Sequence, residues 1–247
     1  MVVDWERRGK RRRQAGADTQ VNADTPVDLA AVRAAVGDRG RVLCRVNGWG
    51  PWTAAEIDLA AALGADEILL PMVRGEADVD AALGAVDGAG LGAGLGILVE
   101  TVDAVRQVEA LVAGRRLSRV YLGLNDLRID RRARCLFTPL VDGTVDRIAA
   151  AVAAAGVPFG VAGLTVPDGG SPVPCRLVNG ALARVGASFT FLRRSFTADV
   201  AGRDVAAEVG RILGAAERAR GRSPEVVESE HAELESLVGF LSEEEAS

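Results

Sequence analysis

The sequence predicts an α/β fold, a TIM (β/α)8-type barrel, from three observations. Apolar strand-like runs alternate with helix-like runs along most of the chain. The length of 247 residues suits one such barrel. Glu100 follows one apolar run and Asp126 follows the next, 26 residues later, which is about the length of one βα unit. Two carboxylates are therefore predicted at the same barrel mouth.

The strands are predicted where short apolar runs stop at polar residues. The run that ends in Pro71 and Met72 is continuously apolar, as expected for a parallel strand covered on both faces. Seven strands are predicted, over residues 1–5, 41–46, 67–72, 95–99, 118–123, 157–162 and 187–192. This is one short of eight, and because the chain enters the pattern at a strand, the missing unit is the first.

The helices are predicted from their N-terminal signals and apolar periodicity. Thr25 is a predicted N-cap, with Pro26 in the first turn and an acid after it. Thr53 and Glu56 form a predicted capping box. The helices are predicted from residue 25, over 53–63, 76–87, 101–113, 141–155, 175–185 and 203–220, with a long irregular loop over 163–174.

Composition excludes several classes of protein. Hydrophobic residues make up 49% and aromatic residues 4% of the chain, so the core is predicted to be aliphatic. Three cysteines without paired spacing, Cys44, Cys135 and Cys175, predict reduced thiols and neither a disulfide framework nor a zinc site. No apolar run reaches the ~18 residues of a membrane span. We expect a soluble, cytoplasmic protein with no membrane partner.

The net charge of −5 belongs to the C-terminus, where eight glutamates and no Lys or Arg follow Pro224. We expect one domain plus a tail, with the barrel over residues 1–221 and an acidic tail with an extra amphipathic helix over 222–247. The tail's apolar stripe packs either on its own barrel or on a neighbouring subunit, and the neighbour is favoured. The stripe contains Val227, Leu234, Leu237, Val238 and Leu241.

A basic run covers residues 7–13, Arg-Arg-Gly-Lys-Arg-Arg-Arg. It has two interpretations, a nucleic-acid or phosphate patch and a solvated loop after the first strand. No aromatic side chains interleave with the basic ones as a nucleic-acid surface favours. We therefore expect a solvated loop and no nucleic-acid partner.

Polar residues stand at the end of almost every predicted strand, and parallel barrels place active sites there. Two carboxylates with open positions suit Mg²⁺ or Mn²⁺, which prefer oxygen ligands. Such a cation chelates a 2-keto acid and stabilises an enolate, with Arg45 as a second electrophile. In chain order the strand-end residues are Asp4, Glu6, Arg45, Asn47, Met72, Arg74, Glu100, Asn125, Asp126, Arg193 and Arg194.

Five strand-end segments carry a resemblance to a known family. They are Val3-Asp4-Trp5-Glu6, Arg45-Val46-Asn47, Leu70-Pro71-Met72-Val73, Val99-Glu100-Thr101 and Gly123-Leu124-Asn125-Asp126-Leu127. Together and in this order, the sequence resembles the HpcH/HpaI aldolase and citrate lyase β-subunit family. That resemblance implies a TIM barrel of the phosphoenolpyruvate- and pyruvate-binding type, which makes or breaks C–C bonds next to an enolate of a keto acid or an acyl-CoA.

The resemblance also implies roles for individual residues. Glu100 and Asp126 would be the Mg²⁺ or Mn²⁺ ligands, and Arg45 would bind the keto acid and stabilise its enolate. Asp4 and Glu6 would not bind the metal directly but would hold the water molecules bound to it. Substrate binding is predicted for Arg45 and for four further strand-end residues, and the family implies a homo-oligomer, a trimer or hexamer. The four are Asn47, Met72, Asn125 and Arg193.

Two departures from the family pattern leave alternatives open. We expect the first βα unit of the family barrel to be missing, so that either the chain starts late or the barrel closes differently. The only histidine, His231, lies in the acidic tail and is no candidate for a general base. We expect a metal-dependent carbon–carbon lyase or aldolase. The alternatives are a hydrolase or decarboxylase with related enolate chemistry, and a catalytically lapsed barrel that serves as a binding or assembly subunit.

Overall fold

A computed structural model describes residues 1–13, 24–92, 94–161, 163–193 and 195–244. Its centre is one parallel sheet of six strands that pair in chain order, so each strand lies beside the next one along the sequence. The strands are β1 (Val2–Asp4), β2 (Leu43–Arg45), β3 (Glu67–Leu70), β4 (Leu95–Val99), β5 (Leu117–Leu122) and β6 (Phe159–Val161). This is the curled sheet of an incomplete barrel, as the alternating sequence pattern predicts.

Helices connect these strands and cover the outer face of the sheet. Two short 3₁₀ turns, Gly37–Arg39 and Thr138–Leu140, supplement them. The helices are α1 (Lys10–Arg13), α2 (Pro26–Val36), α3 (Thr53–Ala62), α4 (Glu76–Gly88), α5 (Val102–Arg106), α6 (Val108–Val112), α7 (Leu124–Arg131), α8 (Thr144–Ala154), α9 (Cys175–Arg184), α10 (Phe196–Asp199), α11 (Val205–Arg220) and α12 (Pro224–Glu244).

The predicted seventh strand over residues 187–192 forms only in part. Two isolated parallel bridges join it to the chain around β6, Gly160 to Phe189 and Leu164 to Leu192. In the described part of the chain, nothing pairs with the free edge of β1. The barrel is therefore open between the first strand and the segment that follows β6.

The two faces of the strands have different surroundings. Residues on the outer face pack under the helices in one large aliphatic core, as the low aromatic content predicts. The inner face holds a smaller cluster of buried side chains, to which two aromatic rings of the 187–192 segment are added. These residues are Leu43, Leu69, Leu98 and Tyr121, with Phe189 and Phe191. The side-chain alternation of the strands thus fills the barrel interior and leaves its mouth for polar groups.

The helix-start signals have mixed outcomes. Thr25 caps α2 as predicted, and its reciprocal contacts with Asp28 complete a capping box. The capping box predicted at Thr53 is wrong, because Trp52 is the N-cap of α3 and makes no side-chain capping bond. Thr53 Oγ1 donates to the carbonyl of Gly48. Glu56 instead accepts a hydrogen bond from the side chain of Asn47.

The helix predicted over residues 101–113 is divided. α5 ends at Arg106 and α6 begins at Val108, because Gln107 has a non-helical backbone conformation. Its side-chain amide donates to the carbonyl oxygens of Arg74 and Asp103. The contact with Arg74 fixes the junction of α5 and α6 to the loop after β3.

The C-terminal helix α12 packs on α9 of the same chain. Leu234 and Val238 from the predicted stripe are 1% and 2% exposed. Arg176 on α9 forms an ion pair with Glu233, and Arg222 forms one with Glu230. The expectation that the stripe packs on a neighbouring subunit is therefore wrong for these residues. The domain boundary at 221/222 and the oligomeric state stay predictions.

No helix in the described part of the chain is both long and apolar enough to cross a lipid bilayer.

The packing of α12 makes a prediction about stability. Leu234→Ala should lower the free energy of unfolding by about 2–5 kcal/mol, because it leaves a cavity between α12 and α9. Phe240→Ala, at a position 55% exposed on the same helix, should change it by less than about 0.5 kcal/mol. Urea denaturation of both variants measures the difference. Equal effects would show that α12 does not pack through Leu234.

Candidate functional site

The carboxyl ends of β1 to β5 bring acidic and basic side chains together at one mouth of the barrel. β1 contributes Asp4 and, after it, Glu6, while β2 contributes Arg45. Glu100 follows β4, and Asp126 lies in the first turn of the helix after β5. All four carboxylates are buried, with exposed fractions between 1% and 8%. The predicted strand-end acids thus share one water-poor region.

Arg45 is held by Asp4 through two parallel hydrogen bonds. The Arg45 Nε atom donates to Asp4 Oδ1 at 2.8 Å, and Arg45 Nη2 donates to Asp4 Oδ2. Burial raises the pKa of Asp4, but Arg45 and Lys10 outweigh it and set that pKa at about 2. Bidentate pairing of this kind fixes the plane of a guanidinium. Arg45 is therefore a charged and oriented group at the mouth.

Met72 directs its backbone onto Glu100. It has a positive φ of 56°, a conformation uncommon for any residue except glycine. The Met72 N–H donates to Glu100 Oε1 at 2.9 Å. The strained turn at the end of β3 thus orients the Glu100 carboxyl group, a contact of the Met72 backbone that the sequence does not reveal.

Glu100 lies in a buried position, where the charged form of its carboxyl group is unfavourable. Burial is the largest cause that raises its pKa to about 8, followed by the charges of Asp126 and Glu6, while Arg45 acts in the opposite direction. Among the side chains that the structure describes, no Lys or Arg forms an ion pair with Glu100. Gly123 leaves it room, since a Cβ added there would lie 2.5 Å from Glu100 Oε2.

The basic run enters the same site, and its prediction as a solvated loop is wrong for two of its residues. Lys10 is 1% exposed and lies 3.0 Å from Asp4 Oδ2 and 3.0 Å from Glu6 Oε2. Arg13 contacts Glu6, and its Nε atom is 3.6 Å from Asp126 Oδ1. Gly9, with a φ of 72°, turns the chain back so that both side chains reach the carboxylates.

Asn47 anchors the turn that leads into this segment. Its Oδ1 accepts the backbone N–H groups of Arg7 and Arg8 at 2.9 and 2.7 Å. Its Nδ2 donates to Glu56 Oε1 at 2.7 Å. The Arg8 guanidinium lies 4.3 Å from the centre of the Trp52 ring, a favourable cation–π distance. Glu56 and Trp52 thus support the site, and the role of Asn47 in substrate binding stays a prediction.

Two further predicted substrate-binding residues lie less centrally. Asn125 is half-buried beside Asp126 in the first turn of α7. The Arg193 backbone N–H donates to the Leu164 carbonyl at 2.8 Å. The charge of Arg193 acts on the pKa of Cys175 and of Asp199. Its neighbour in sequence, Arg194, lies outside the described residues.

The three cysteines lie inside the protein. Cys44, Cys135 and Cys175 are all free and buried. Burial raises the pKa of the Cys175 thiol, which disfavours the thiolate that a nucleophile requires.

The residues at the mouth fit a divalent cation. Glu100 and Asp126 offer oxygen ligands, and the charge of Asp126 helps to raise the pKa of Glu100, so a cation between them would relieve the repulsion. Within the described residues, no group of three or more His, Cys, Asp or Glu side chains forms a complete metal site. Two protein ligands would thus leave positions for water or substrate oxygens.

Comparisons with known proteins address the fold. No family model matches the sequence, and no curated protein matches it. An HpcH/HpaI aldolase from Desulfitobacterium hafniense DCB-2 aligns over 90% of this chain and 93% of its own, with a TM-score of 0.58 and 15% identity. An HpcH/HpaI aldolase/citrate lyase family protein from Burkholderia cenocepacia J2315 aligns over 84% and 93%, with a TM-score of 0.59 and 18% identity.

A third structure is a citrate lyase β subunit from M. tuberculosis, complexed with oxaloacetate and magnesium. It aligns over 89% of this chain and 85% of its own, with a TM-score of 0.56 and 17% identity. The resemblance carried by the strand-end segments is thus confirmed for the fold. This chain folds as the structures of HpcH/HpaI aldolases and citrate lyase β subunits do.

Proposed function

We propose that this chain belongs to the HpcH/HpaI aldolase and citrate lyase family, and is a carbon–carbon lyase or aldolase dependent on Mg²⁺ or Mn²⁺. Its substrate would be a small 2-keto acid or an acyl thioester that reacts through an enolate. The observation that carries the proposal is the pairing of Glu100 and Asp126 in a buried mouth that also contains Arg45, fixed by Asp4. An oriented guanidinium beside a carboxylate pair suits a reaction that develops negative charge on oxygen.

Each residue has a defined part in this proposal. Arg45 donates hydrogen bonds to the substrate oxygen on which the enolate charge develops. Asp4 keeps Arg45 in plane, and the Met72 N–H keeps the Glu100 carboxyl group turned toward the mouth. Glu100 and Asp126 would hold the cation. When bound, the cation supplies Lewis-acid polarisation of the substrate carbonyl.

The comparisons support the substrate class. The M. tuberculosis citrate lyase β subunit was complexed with a small keto acid, oxaloacetate, and with magnesium. The present mouth offers a guanidinium and a carboxylate pair, which match a keto acid that chelates a cation. The substrate contacts of Asn47, Met72, Asn125 and Arg193 extend this proposal, as does assembly into a trimer or hexamer.

A second candidate is a lapsed barrel that binds a ligand or assembles with a partner. Lys10 and Arg13 favour it, because they already neutralise part of the acidic cluster. Hydrolysis of an acyl thioester or a decarboxylation is a third candidate that uses the same enolate stabilisation. Calorimetry with Mn²⁺ and oxalate separates the lapsed barrel, which should bind neither, and product analysis separates the two chemistries.

Removal of either proposed ligand should abolish turnover. Glu100→Gln and Asp126→Asn each remove one charged oxygen ligand, so Mg²⁺-dependent cleavage of keto and β-hydroxy acids should fall at least ~10³-fold, as after loss of a group that stabilises charge in a transition state. Circular dichroism checks that the fold survives. The matched controls Glu109→Gln and Asp87→Asn change exposed ion pairs and should retain activity. Full activity in both ligand variants would refute the metal assignment.

Cation binding should depend on pH. Because the pKa of Glu100 is about 8 without a cation, its carboxyl group is mostly protonated at pH 7 and must lose that proton to bind a cation. The apparent Mn²⁺ affinity should rise by up to about tenfold per pH unit between pH 6 and 8 and then level off. Calorimetry in buffers of different ionisation enthalpy measures the released proton. An affinity that stays constant from pH 6 to 8 would contradict a role for Glu100.

The close approach of Gly123 and Glu100 gives a subtler variant. In Gly123→Ala, the new Cβ would displace the Glu100 carboxylate, so Mn²⁺ affinity should fall at least ~10-fold, a loss of about 1.4 kcal/mol of binding free energy. Gly84→Ala in α4 is the control, because a Cβ there meets no atom within 4 Å. It should leave cation binding unchanged. Equal affinities in the two variants would show that the position of Glu100 does not matter for binding.

A further inference from the structure

Two neighbouring cavities lie between α9 and α11. The first, the polar cavity, is lined by Arg176, Arg218 and Arg222, has a volume of about 340 Å³ and lies where the 163–174 loop meets the two helices and the start of α12. The second, the apolar cavity, has a volume of about 370 Å³ and lies between the two helices and the 187–192 segment. Both volumes are in the range of small-molecule sites, ~300–1,000 Å³. The strand-end carboxylates of the barrel mouth line neither cavity.

The two cavities share a wall that contains an unusual amide. Leu164, Asn179 and Ile212 line both cavities. Asn179 on α9 is 8% exposed, and its side chain makes no hydrogen bond with any residue that the structure describes. Buried amide groups nearly always have hydrogen-bond partners. A ligand in either cavity can therefore supply the partner that Asn179 lacks.

Arg218 is the charged group of the polar cavity that is left for a ligand. The cavity is lined by three arginines and one glutamate, Glu230. Three polar side chains of its lining already have partners, whereas the Arg218 side chain forms no ion pair or hydrogen bond with a described residue. The pairs are Thr165 with Asp199, Arg176 with Glu233, and Arg222 with Glu230. The polar cavity thus has an excess of positive charge and favours an anion.

The lining of the apolar cavity favours an aliphatic group. Its wall leaves Leu192, Val209 and Leu213 between 36% and 63% exposed, and covering large apolar side chains of this kind is favourable. Arg220 also lines this cavity, but its guanidinium donates to the Ala187 carbonyl at 3.5 Å. The apolar cavity therefore fits a hydrocarbon chain better than a second charged group.

We propose that the two cavities together bind an aliphatic monocarboxylate of medium chain length. Arg218 and Asn179 hold the carboxylate in the polar cavity by charge-assisted hydrogen bonds. The first turn of α9 also lines this cavity, and its end of the helix dipole favours an anion. The hydrocarbon chain extends past Leu164 and Ile212 into the apolar cavity. This site shares no residue with the proposed cation site, so the inference is independent of the proposed function.

The first test uses the unchanged full-length chain. Isothermal titration calorimetry measures the binding of fatty acids from hexanoate to decanoate, below the concentrations at which they form micelles. One molecule should bind per chain, and the affinity should rise about fourfold for each added methylene group that is buried. The uncharged 1-decanol should bind at least ~10-fold more weakly than decanoate. An affinity independent of chain length, or equal affinities for decanoate and 1-decanol, would overturn the inference.

Substitutions test the position of the carboxylate. Arg218→Met and Asn179→Leu should each lower the affinity for decanoate at least ~10-fold and leave that for 1-decanol unchanged. Asn179→Leu should not lower the melting temperature, since it removes an amide that has no partner. The control on the same helix is Arg220→Met, which should change decanoate affinity less than ~3-fold. A larger loss in Arg220→Met than in Arg218→Met would contradict the proposed orientation.

A further variant tests the position of the hydrocarbon chain. Ala216 lines the apolar cavity and not the polar one, so Ala216→Phe should fill that space and abolish decanoate binding. Undiminished binding by the folded variant would show that the chain lies elsewhere. If Ala216→Phe folds poorly, the chain-length series on the unchanged chain decides the same point.

Competition separates this site from the barrel mouth. Saturating Mn²⁺ and oxalate, the ligands proposed for the mouth, should leave the affinity for decanoate unchanged, whether or not they bind there. Mutual exclusion of oxalate and decanoate would place decanoate at the mouth and overturn the inference while leaving the proposed function standing.

Discussion

The burial of negative charge at the barrel mouth is the constraint on which the rest of this site depends. Removing a carboxylate from water costs several kcal/mol unless a cation or hydrogen bonds compensate it. Asp4, Glu6, Glu100 and Asp126 are all buried. They are tolerated because basic side chains from two parts of the chain meet them, and because Glu100 can keep its proton near neutral pH. The carboxylates at the mouth are thus balanced by basic side chains and by protonation.

Strand register brings the central pair together. Asp4 and Arg45 are direct partners in the parallel pairing of β1 and β2, so both side chains point to the same face at the same height. This is why a short aspartate can reach the guanidinium with both oxygens. A shift of one residue in that register would turn one of the two away from the mouth. The pairing of β1 with β2 therefore determines the orientation of Arg45.

The sequence predicts this part of the site well, because it depends on local patterns. Apolar runs mark the strands, and parallel strands end at the same edge, so Asp4, Arg45, Glu100 and Asp126 could be grouped from spacing alone. The resemblance in the five strand-end segments points the same way. What the sequence predicts here is which residues stand at the mouth, since that follows from where each strand stops.

The sequence does not predict which partner a side chain contacts when the possible partners are distant along the chain. The pattern of Thr53 and Glu56 fits a capping box, yet Glu56 binds Asn47 because that amide at the end of β2 lies within reach. Similarly, a basic run is usually solvated, and nothing in its composition shows that Gly9 turns Lys10 into the barrel. The apolar stripe of α12 predicts that this face is buried, but it does not predict that the face packs on α9. These outcomes depend on tertiary contacts that local patterns do not contain.

Lys10 and Arg13 change what the acidic cluster can do. A mouth with four carboxylates and only Arg45 would attract cations strongly and without fixed number or position. Lys10 and Arg45 both contact Asp4 and Glu6, so these two carboxylates are compensated within the chain, while Glu100 can keep its proton near neutral pH. The basic segment, which looks like a surface feature in the sequence, gives the acidic cluster its asymmetry, and an asymmetric cluster can orient a substrate.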